Sequence, residues 1–285
     1  DQSIADVVID SRQAGQKAMF VALTGENTDG HQFVQQSFSL GAVVALVQQD
    51  LGGDFTVVDL RQSPHADQEW QRGQFPLCLR VDDSLASLQQ IAQHWRAQLD
   101  IRVVGVTGSV GKTTTKELTA AVLSRRFRTL KNEGNLNNEI GLPLTLLRLQ
   151  ERHERAVLEM GFYTRGEIAL LCKLAQPQVG VVTNVYPVHL ERAGTLENIA
   201  VGKGELVEAL PPEPDGVAVL NADEPEVMAM EERTRARVFT YGLDPDADLW
   251  ASHVEGMGLS GIRFRAHHRG DILHVRVPLL GRHSV

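Results

Sequence analysis

The stretch IRVVGVTGSVGKTTT, residues 101–115, decides the fold of the chain around it. It begins with the β-branched run of a buried parallel strand, passes through a glycine-rich turn at 108–111 and continues from Lys112 into a helical pattern. In such a strand–loop–helix the loop amides and the helix N-terminus face an anion, the lysine adds positive charge, and a threonine hydroxyl can hold Mg²⁺. The stretch therefore predicts a site for nucleotide phosphates.

The loop departs from the strict phosphate-loop spacing, which requires a glycine at position 106, where this chain has Val106. The match is the shorter form G-x-x-G-K-T, and it depends on the strand before it and the helix after it. An ordinary strand-to-helix turn does not account for Lys112 followed by three threonines. We expect the nucleotide to contact Gly108, Ser109, Val110, Gly111, Lys112, Thr113 and Thr114.

The length of 285 residues predicts about two globular domains. A net charge of −8 and ten scattered histidines do not indicate a nucleic-acid surface. The two cysteines lie far apart and form no C-x-x-C pattern, so we expect reduced thiols in a cytoplasmic protein. No apolar run approaches the length of a membrane span, and no signal-peptide pattern is present.

The first part of the chain, 1–81, reads as a small α/β unit with strands at 6–10, 18–23 and 41–47 and a helix over 31–40. Residues 62–73 read as a loop. The polar turns after the strands either bind a ligand or cap the strands, and the sequence leaves both readings open.

The second part begins with an amphipathic helix over 82–100, and we place the domain boundary at Asp82. A helix from Lys112 to about Arg126 follows the phosphate loop. Further strand patterns at 156–158, 179–182 and 217–220 predict a mainly parallel open sheet. Residues 238–241, 249–253, 261–265 and 272–277 read as a peripheral meander of strands.

Polar residues follow three of these strands at the edge where open parallel sheets bind ligands. They are Glu159, Thr183, Asn184, His189, Asn221 and Asp223. Glu159 is a candidate Mg²⁺ ligand because a carboxylate beside bound phosphates otherwise repels them. For His189 the sequence leaves two interpretations, a surface histidine or a ligand.

An asparagine-rich segment follows the phosphate-loop helix, with Asn132, Asn135, Asn137 and Asn138 close together. Asparagine favours turns, so a structural loop is one interpretation. The density of amides favours the other, a shelf for phosphates or a polar substrate.

Lys203 lies in the apolar stripe of a helical pattern over 196–210, with glycines on either side. A lysine in that position is partly desolvated, which lowers its pKa and frees the amine for chemistry. A lysine that extends past the stripe to water is the alternative.

Together these motifs resemble the Mur ligase family of ATP-dependent amide-forming enzymes. The matching segments are 105–115, 134–145, 159–168, 183–191, 196–206 and 221–225, and residues 10–12 and 20–31 resemble the family's uridine-nucleotide domain. The segment 134–145 favours the branch that adds D-alanyl-D-alanine to UDP-N-acetylmuramoyl-tripeptide, a step of peptidoglycan synthesis.

The resemblance implies an α/β fold with a UDP-substrate-binding domain at 1–81 and a central ATP-binding domain at 82–285. The chain ends in what resembles a motif of that central domain, so we expect a longer protein with a C-terminal domain beyond it. The resemblance also implies ATP, Mg²⁺ with two ions and an acyl-phosphate intermediate. From the net charge, the cysteines and the lack of a long apolar run, we expect a cytoplasmic protein with neither nucleic-acid nor membrane partners. We expect a monomer.

The resemblance also assigns roles to single residues. Lys112 would hold the β- and γ-phosphates, Thr113 and Glu159 one Mg²⁺, and His189 a second Mg²⁺ that a carbamate on Lys203 supports. Asn221 and Asp223 match residues near adenine and ribose. The residues expected to bind the UDP-substrate or its peptide are Ser11, Arg12, Asp29, His31, Asn135, Asn137 and Asn138.

Two alternatives stay open at this point. One is another ligase of the same type, either diamino-acid-adding or folylpolyglutamate-type, against which the segment 135–143 argues. The other is a phosphate-loop kinase or a nucleotide-binding module without ligation.

Overall fold

A computed structural model describes residues 3–53, 55–61, 75–188, 194–279 and 281. The loop expected at 62–73 and the candidate ligand His189 lie outside these residues. The chain divides into two compact units, Asp1–Leu99 with Pro143–Leu149, and Asp100–Leu142 with Gln150–Val285. The predicted domain boundary at Asp82 precedes a helix, Ser84–Ala97, that belongs to the first unit.

The first unit is built on a five-stranded parallel sheet. Its strands are β1 Asp6–Val8, β2 Ala18–Val21, β3 Ala42–Val47, β4 Thr56–Asp59 and β5 Leu77–Arg80, in the order β1-β2-β3-β5-β4. Its helices are α1 Val34–Ser39 and α2 Ser84–Ala97, with 3₁₀ turns at Ser11–Gln13 and Gly30–Phe33. Phe20, Ala45 and Cys78 are fully buried in its core. The three predicted strands are confirmed, and the expected helix over 31–40 is a 3₁₀ turn that continues into α1.

The second unit is built on a nine-stranded sheet in the order β14-β13-β12-β11-β10-β9-β6-β8-β7. These strands are β6 Arg102–Thr107, β7 Thr129–Lys131, β8 Arg155–Glu159, β9 Val179–Val182, β10 Val217–Asn221, β11 Arg237–Gly242, β12 Leu249–Gly256, β13 Ile262–His268 and β14 Asp271–Val277. Pairing is parallel from β7 to β12 and antiparallel from β12 to β14. The mainly parallel sheet and the peripheral meander are confirmed.

Several of the described helices begin in the second unit. They are α3 Lys112–Leu123, α4 Gly141–Leu147, which continues into the first unit, α5 Glu167–Ala175, α6 Leu196–Glu208 and α7 Pro225–Met228. The β-branched run of β6 is central, and Val103 and Val106 have no exposed surface. Within the described ranges, none of the helices combines the length and the apolar character needed to cross a bilayer.

The order of the strands decides where the polar residues meet. β6 lies between β8 and β9, with Val106 beside Glu159 and Thr107 beside Val182. β10 follows β9 in the same direction. The carboxyl ends of four parallel strands therefore lie next to one another, and the glycine-rich loop leaves the sheet among them.

Candidate functional site

A cavity of about 170 Å³ lies at this edge of the second unit. Among the residues predicted from the sequence, it is lined by Gly108, Lys112, Asn137, Asn138, Glu159 and Lys203. Other residues that line it were not predicted, namely Glu139, Gly161, Phe162, Tyr163, Glu167, Leu171 and Val188. The cavity therefore combines two lysines and a buried carboxylate with amides.

The glycine-rich loop owes its shape to two glycines with positive φ. Gly111 has φ 86° and precedes the first residue of α3, so the helix N-terminus opens toward the loop. Gly108 has φ 149°, and a Cβ there would lie 1.9 Å from Thr183 Oγ1. An alanine at 108 would therefore need both an unfavourable backbone conformation and a displaced neighbour.

Lys112 folds back over this loop. Its Nζ donates to the carbonyl oxygens of Gly108, at 2.9 Å, and Ser109, at 3.3 Å. Burial lowers the pKa of Lys112, and the negative charge of Glu159 opposes that change. The ammonium group is thus held by neutral carbonyls that an anionic ligand can replace.

Asn184 and Thr183, at the end of β9, fasten the middle of the loop. Asn184 Oδ1 accepts hydrogen bonds from the amides of Ser109, at 3.0 Å, and Val110, at 2.8 Å. Asn184 Nδ2 and Thr183 Oγ1 both donate to the carbonyl of Val110. The amides of Ser109 and Val110, which were predicted to contact phosphates, therefore bind Asn184. The first amides of α3 have no carbonyl partner within the helix, so an anion can bind them.

Glu159 is the most constrained carboxylate of the site. The hydroxyl of Thr113 donates to Oε2 at 2.9 Å, and Nδ2 of Asn137 donates to Oε1 at 2.9 Å. The residue is only 3% exposed. Thr113 and Glu159, the predicted pair of Mg²⁺ ligands, are thus brought into direct contact.

Asn132 holds the backbone of Glu159 in place. Its Oδ1 accepts from the amide of Glu159 at 2.9 Å, and its Nδ2 donates to the carbonyl of Glu159 at 3.0 Å. The side chain of Asn132 thus binds the backbone of β8 just beyond the last β7–β8 pair, Lys131 with Val157. In the sequence this asparagine stands out only as part of a polar segment.

The remaining asparagines of that segment have different roles. Asn138 Oδ1 accepts from the amide of Gly141 at 2.9 Å and so caps the start of α4. Asn137 contacts Glu159 as described. Asn135, for which a substrate contact was expected, does not line the cavity.

Lys203 is buried on the inner face of α6, as the apolar stripe predicted, with 2% of its surface exposed. Burial and the nearby charge of Lys112 lower its pKa to about 7. Its Nζ lies 5.1 Å from the centre of the Phe162 ring. The flanking glycines leave room for neighbours, because a Cβ on Gly202 would lie 1.9 Å from Phe162, and one on Gly204 would lie 2.0 Å from Arg233.

Asn221 and Asp223 follow β10 but do not line the cavity. Asn221 Nδ2 donates to the carbonyl of Thr183 at 2.9 Å, and both carboxylate oxygens of Asp223 accept from the amide of Leu243 at 3.0 Å. Near them, the hydroxyl of Tyr186 donates to Glu224 at 2.5 Å. These residues lie at the predicted edge of the sheet, beside the loop that Asn184 fastens.

The candidate residues of the first unit form a separate cluster of turns. His31 is buried, with Nδ1 2.6 Å from Asp29 and Nε2 accepting from the amide of Gln48, so its ring donates through Nδ1. Ser11 donates to Gln36 at 2.8 Å. Arg12 is exposed and pairs with Asp10.

The described part of the chain contains no group of three or more His, Cys, Asp or Glu that could hold a metal ion. A cation at Thr113 and Glu159 would therefore need further oxygens from a bound ligand. Mg²⁺ suits that arrangement, because it commonly binds one or two carboxylates together with substrate phosphates.

Comparisons with known proteins show which family the chain resembles. Residues 106–285 match the family described as Mur ligase middle domain, and residues 3–96 match the Mur ligase family, catalytic domain. The chain is 38% identical to a UDP-N-acetylmuramoyl-tripeptide–D-alanyl-D-alanine ligase of Bacillus subtilis, over 99% of this chain and 56% of the relative. It is 35% identical to the enzyme of the same name from Escherichia coli, over 100% of this chain and 58% of the relative.

Two solved structures are similar throughout the chain. MurF from Acinetobacter baumannii superposes with a TM-score of 0.83 at 30% identity, covering 99% of this chain and 57% of that one. MurF ligase from Thermotoga maritima, in complex with ADP, gives 0.79 at 28% identity, covering 97% and 58%. The chain spans about half the length of the curated relatives that it matches.

Proposed function

Because the chain belongs to the Mur ligase family, we propose that it carries the nucleotide site of an ATP-dependent ligase that joins D-alanyl-D-alanine to UDP-N-acetylmuramoyl-tripeptide. The observation that carries this proposal is the convergence of Lys112, Glu159 and Lys203 on one cavity beside a phosphate loop. The named relatives support the choice of substrates. The product would be the pentapeptide precursor of peptidoglycan.

ATP would bind with its phosphates at the N-terminus of α3. Lys112 would leave the carbonyls of Gly108 and Ser109 and turn to the β- and γ-phosphates, because a charged partner attracts the ammonium more strongly than a neutral one. Asn221 and Asp223 would lie toward ribose and adenine. The ADP complex of the Thermotoga relative supports nucleotide use at this fold.

Mg²⁺ would bind Thr113 and Glu159 together with phosphate oxygens, where it would neutralise charge during phosphoryl transfer. The contact between the Thr113 hydroxyl and Glu159 fits such a site, since both oxygens already point to one place. A second Mg²⁺ at His189 remains part of the proposal. Asn137 would keep Glu159 in position.

Lys203 would act through its neutral amine. A pKa of about 7 leaves a substantial fraction of the side chain unprotonated near neutral pH, and only that form can react with CO₂ to give a carbamate. The carbamate would replace a cation with an anion and so support the second Mg²⁺. Phe162 covers one side of the amine and limits the access of water.

The reaction would proceed in two steps. The terminal carboxylate of the tripeptide attacks the γ-phosphorus, the bond to ADP breaks, and an acyl phosphate forms. The amine of D-alanyl-D-alanine then attacks the acyl carbon, an amide forms, and inorganic phosphate leaves as the amine loses its proton. Because such transfer is mainly a matter of position and charge, Lys112 and the helix N-terminus would supply most of what this chain contributes.

The UDP-substrate would bind mainly to the domain at 1–81, and ATP to the domain at 82–285. In the first, Ser11, Arg12, Asp29 and His31 would lie near the uridine nucleotide. His31 would act by holding the turn that carries Asp29, since both of its ring nitrogens are engaged. The peptide or phosphates would meet the segment of Asn135, Asn137 and Asn138.

The test is phosphate release by the protein that carries this chain, with ATP, UDP-N-acetylmuramoyl-tripeptide and D-alanyl-D-alanine. Release should require the dipeptide, and free D-alanine should not replace it. Lys112→Ala should reduce release at least about a hundredfold, through lost charge on the phosphates. A phosphorylated substrate that accumulates without amine-dependent phosphate release would identify a kinase instead.

A further inference from the structure

The proposed mechanism leaves unused one charged residue beside the metal-binding carboxylate. Lys116 lies one turn after Lys112 on α3 and is completely buried. Its Nζ is 3.6 Å from Glu159 Oε2 and 3.5 Å from Glu117 Oε1, and it makes no hydrogen bond. A buried ammonium without a hydrogen bond is costly, so its presence indicates an electrostatic role.

Lys116 belongs to a row of alternating charges that leads from the site to the surface. Glu117 pairs with Lys131 as well as with Lys116. The side chain of Glu117 is 44% exposed, and that of Lys131 is 38% exposed. Glu159 has only 4% of its side chain exposed. Water therefore screens the attraction of Lys116 to Glu117 much more than its attraction to Glu159.

We propose that Lys116 is the resident counter-charge of Glu159, and that it prevents a divalent cation from binding there until nucleotide phosphates arrive with it. This inference rests on the proposed nucleotide site. Without nucleotide, a cation near Glu159 meets the positive charges of Lys116 and Lys112. Phosphates supply the negative charge that offsets both, so the metal binds together with the nucleotide.

The test measures binding of Mn²⁺ alone, from the electron paramagnetic resonance signal of the free ion. Lys116→Met keeps the length of the side chain and removes its charge, and it should tighten Mn²⁺ binding at least about tenfold. Lys131→Met removes an equal charge from the exposed end of the row and should change binding less than about twofold. Adding Glu159→Gln to Lys116→Met should abolish the gain. A folded Lys116→Met protein that binds Mn²⁺ no more tightly than the wild type would overturn the proposal.

A second measurement decides the matter if Lys116→Met does not fold. With Glu159 already compensated, the wild type and Glu159→Gln should bind Mn²⁺ alone with affinities within about twofold of each other. Wild-type binding about tenfold tighter than that of Glu159→Gln would show an uncompensated metal ligand and would overturn the proposal. Failure of the wild type to bind ATP would refute the proposed nucleotide site, whereas intact ATP binding with either contrary Mn²⁺ result would refute only the role of Lys116.

Discussion

Replacing Lys203 with methionine should stabilise the protein most at low and neutral pH. The ordinary pKa of lysine is 10.5, and the folded protein lowers it to about 7. Each pH unit by which a pKa falls corresponds to about 1.4 kcal/mol, so burying this lysine costs about 5 kcal/mol where both states are protonated. Methionine fills a similar volume and does not carry that cost.

The sign follows from the proton balance. Below about pH 7 both states bind the proton and the full cost applies. Between about pH 7 and 10.5 the unfolded state holds a proton that the folded state lacks, so the cost decreases as pH rises. The advantage of Lys203→Met should therefore be about 5 kcal/mol at pH 6.5, about 3 kcal/mol at pH 8.5 and near zero above pH 10.5.

Urea unfolding followed by tryptophan fluorescence, in buffer free of CO₂, measures this difference at about pH 6.5, 8.5 and 10. Lys173→Met is the control, because Lys173 is exposed on α5 and its replacement should have little effect at any of these pH values. A difference between the wild type and Lys203→Met that stays constant with pH, or a variant less stable than the wild type at pH 6.5, would refute the reasoning.

Three further substitutions test the contacts around the site. Asn184→Ala should weaken nucleotide binding about tenfold in a fluorescence titration, because the loop loses three hydrogen bonds; unchanged affinity would contradict its role. Gly202→Ala should lower the free energy of unfolding in urea by about 1–3 kcal/mol through its clash with Phe162. The same change should cost less when it is made in a Phe162→Ala protein. Asn132→Ala should cost about 2–3 kcal/mol by leaving the backbone of Glu159 unpaired, and a variant as stable as the wild type would argue against side-chain pairing.

Strand patterns and the rule for open parallel sheets predicted the sheet edge at which the cavity lies. The apolar runs of β6, β8, β9 and β10 predicted the sheet, and Glu159, Thr183 and Asn221 lie at the carboxyl ends of β8, β9 and β10. Lys203 was predictable as well, since helical periodicity alone places it among buried residues.

The contacts of single polar groups were not predictable in this way. Lys116 carries no apolar pattern around it, although its position one turn after Lys112 was a signal that the two lysines share a face of α3. Asn132 and Asn184 act through hydrogen bonds to distant backbone groups. Such pairings depend on strand order and register, which local sequence does not specify.

The hydrogen bonds between Asn184 and the glycine-rich loop affect both the entropy and the rate of nucleotide binding. A glycine-rich loop is ordinarily free to sample many backbone conformations, and a ligand that orders it must offset that freedom. Here two side chains from the end of β9 have already fixed the amides and the carbonyl of the middle of the loop. The incoming phosphates therefore meet a preorganised surface, and we expect nucleotide association to be limited by encounter and not by rearrangement of the loop.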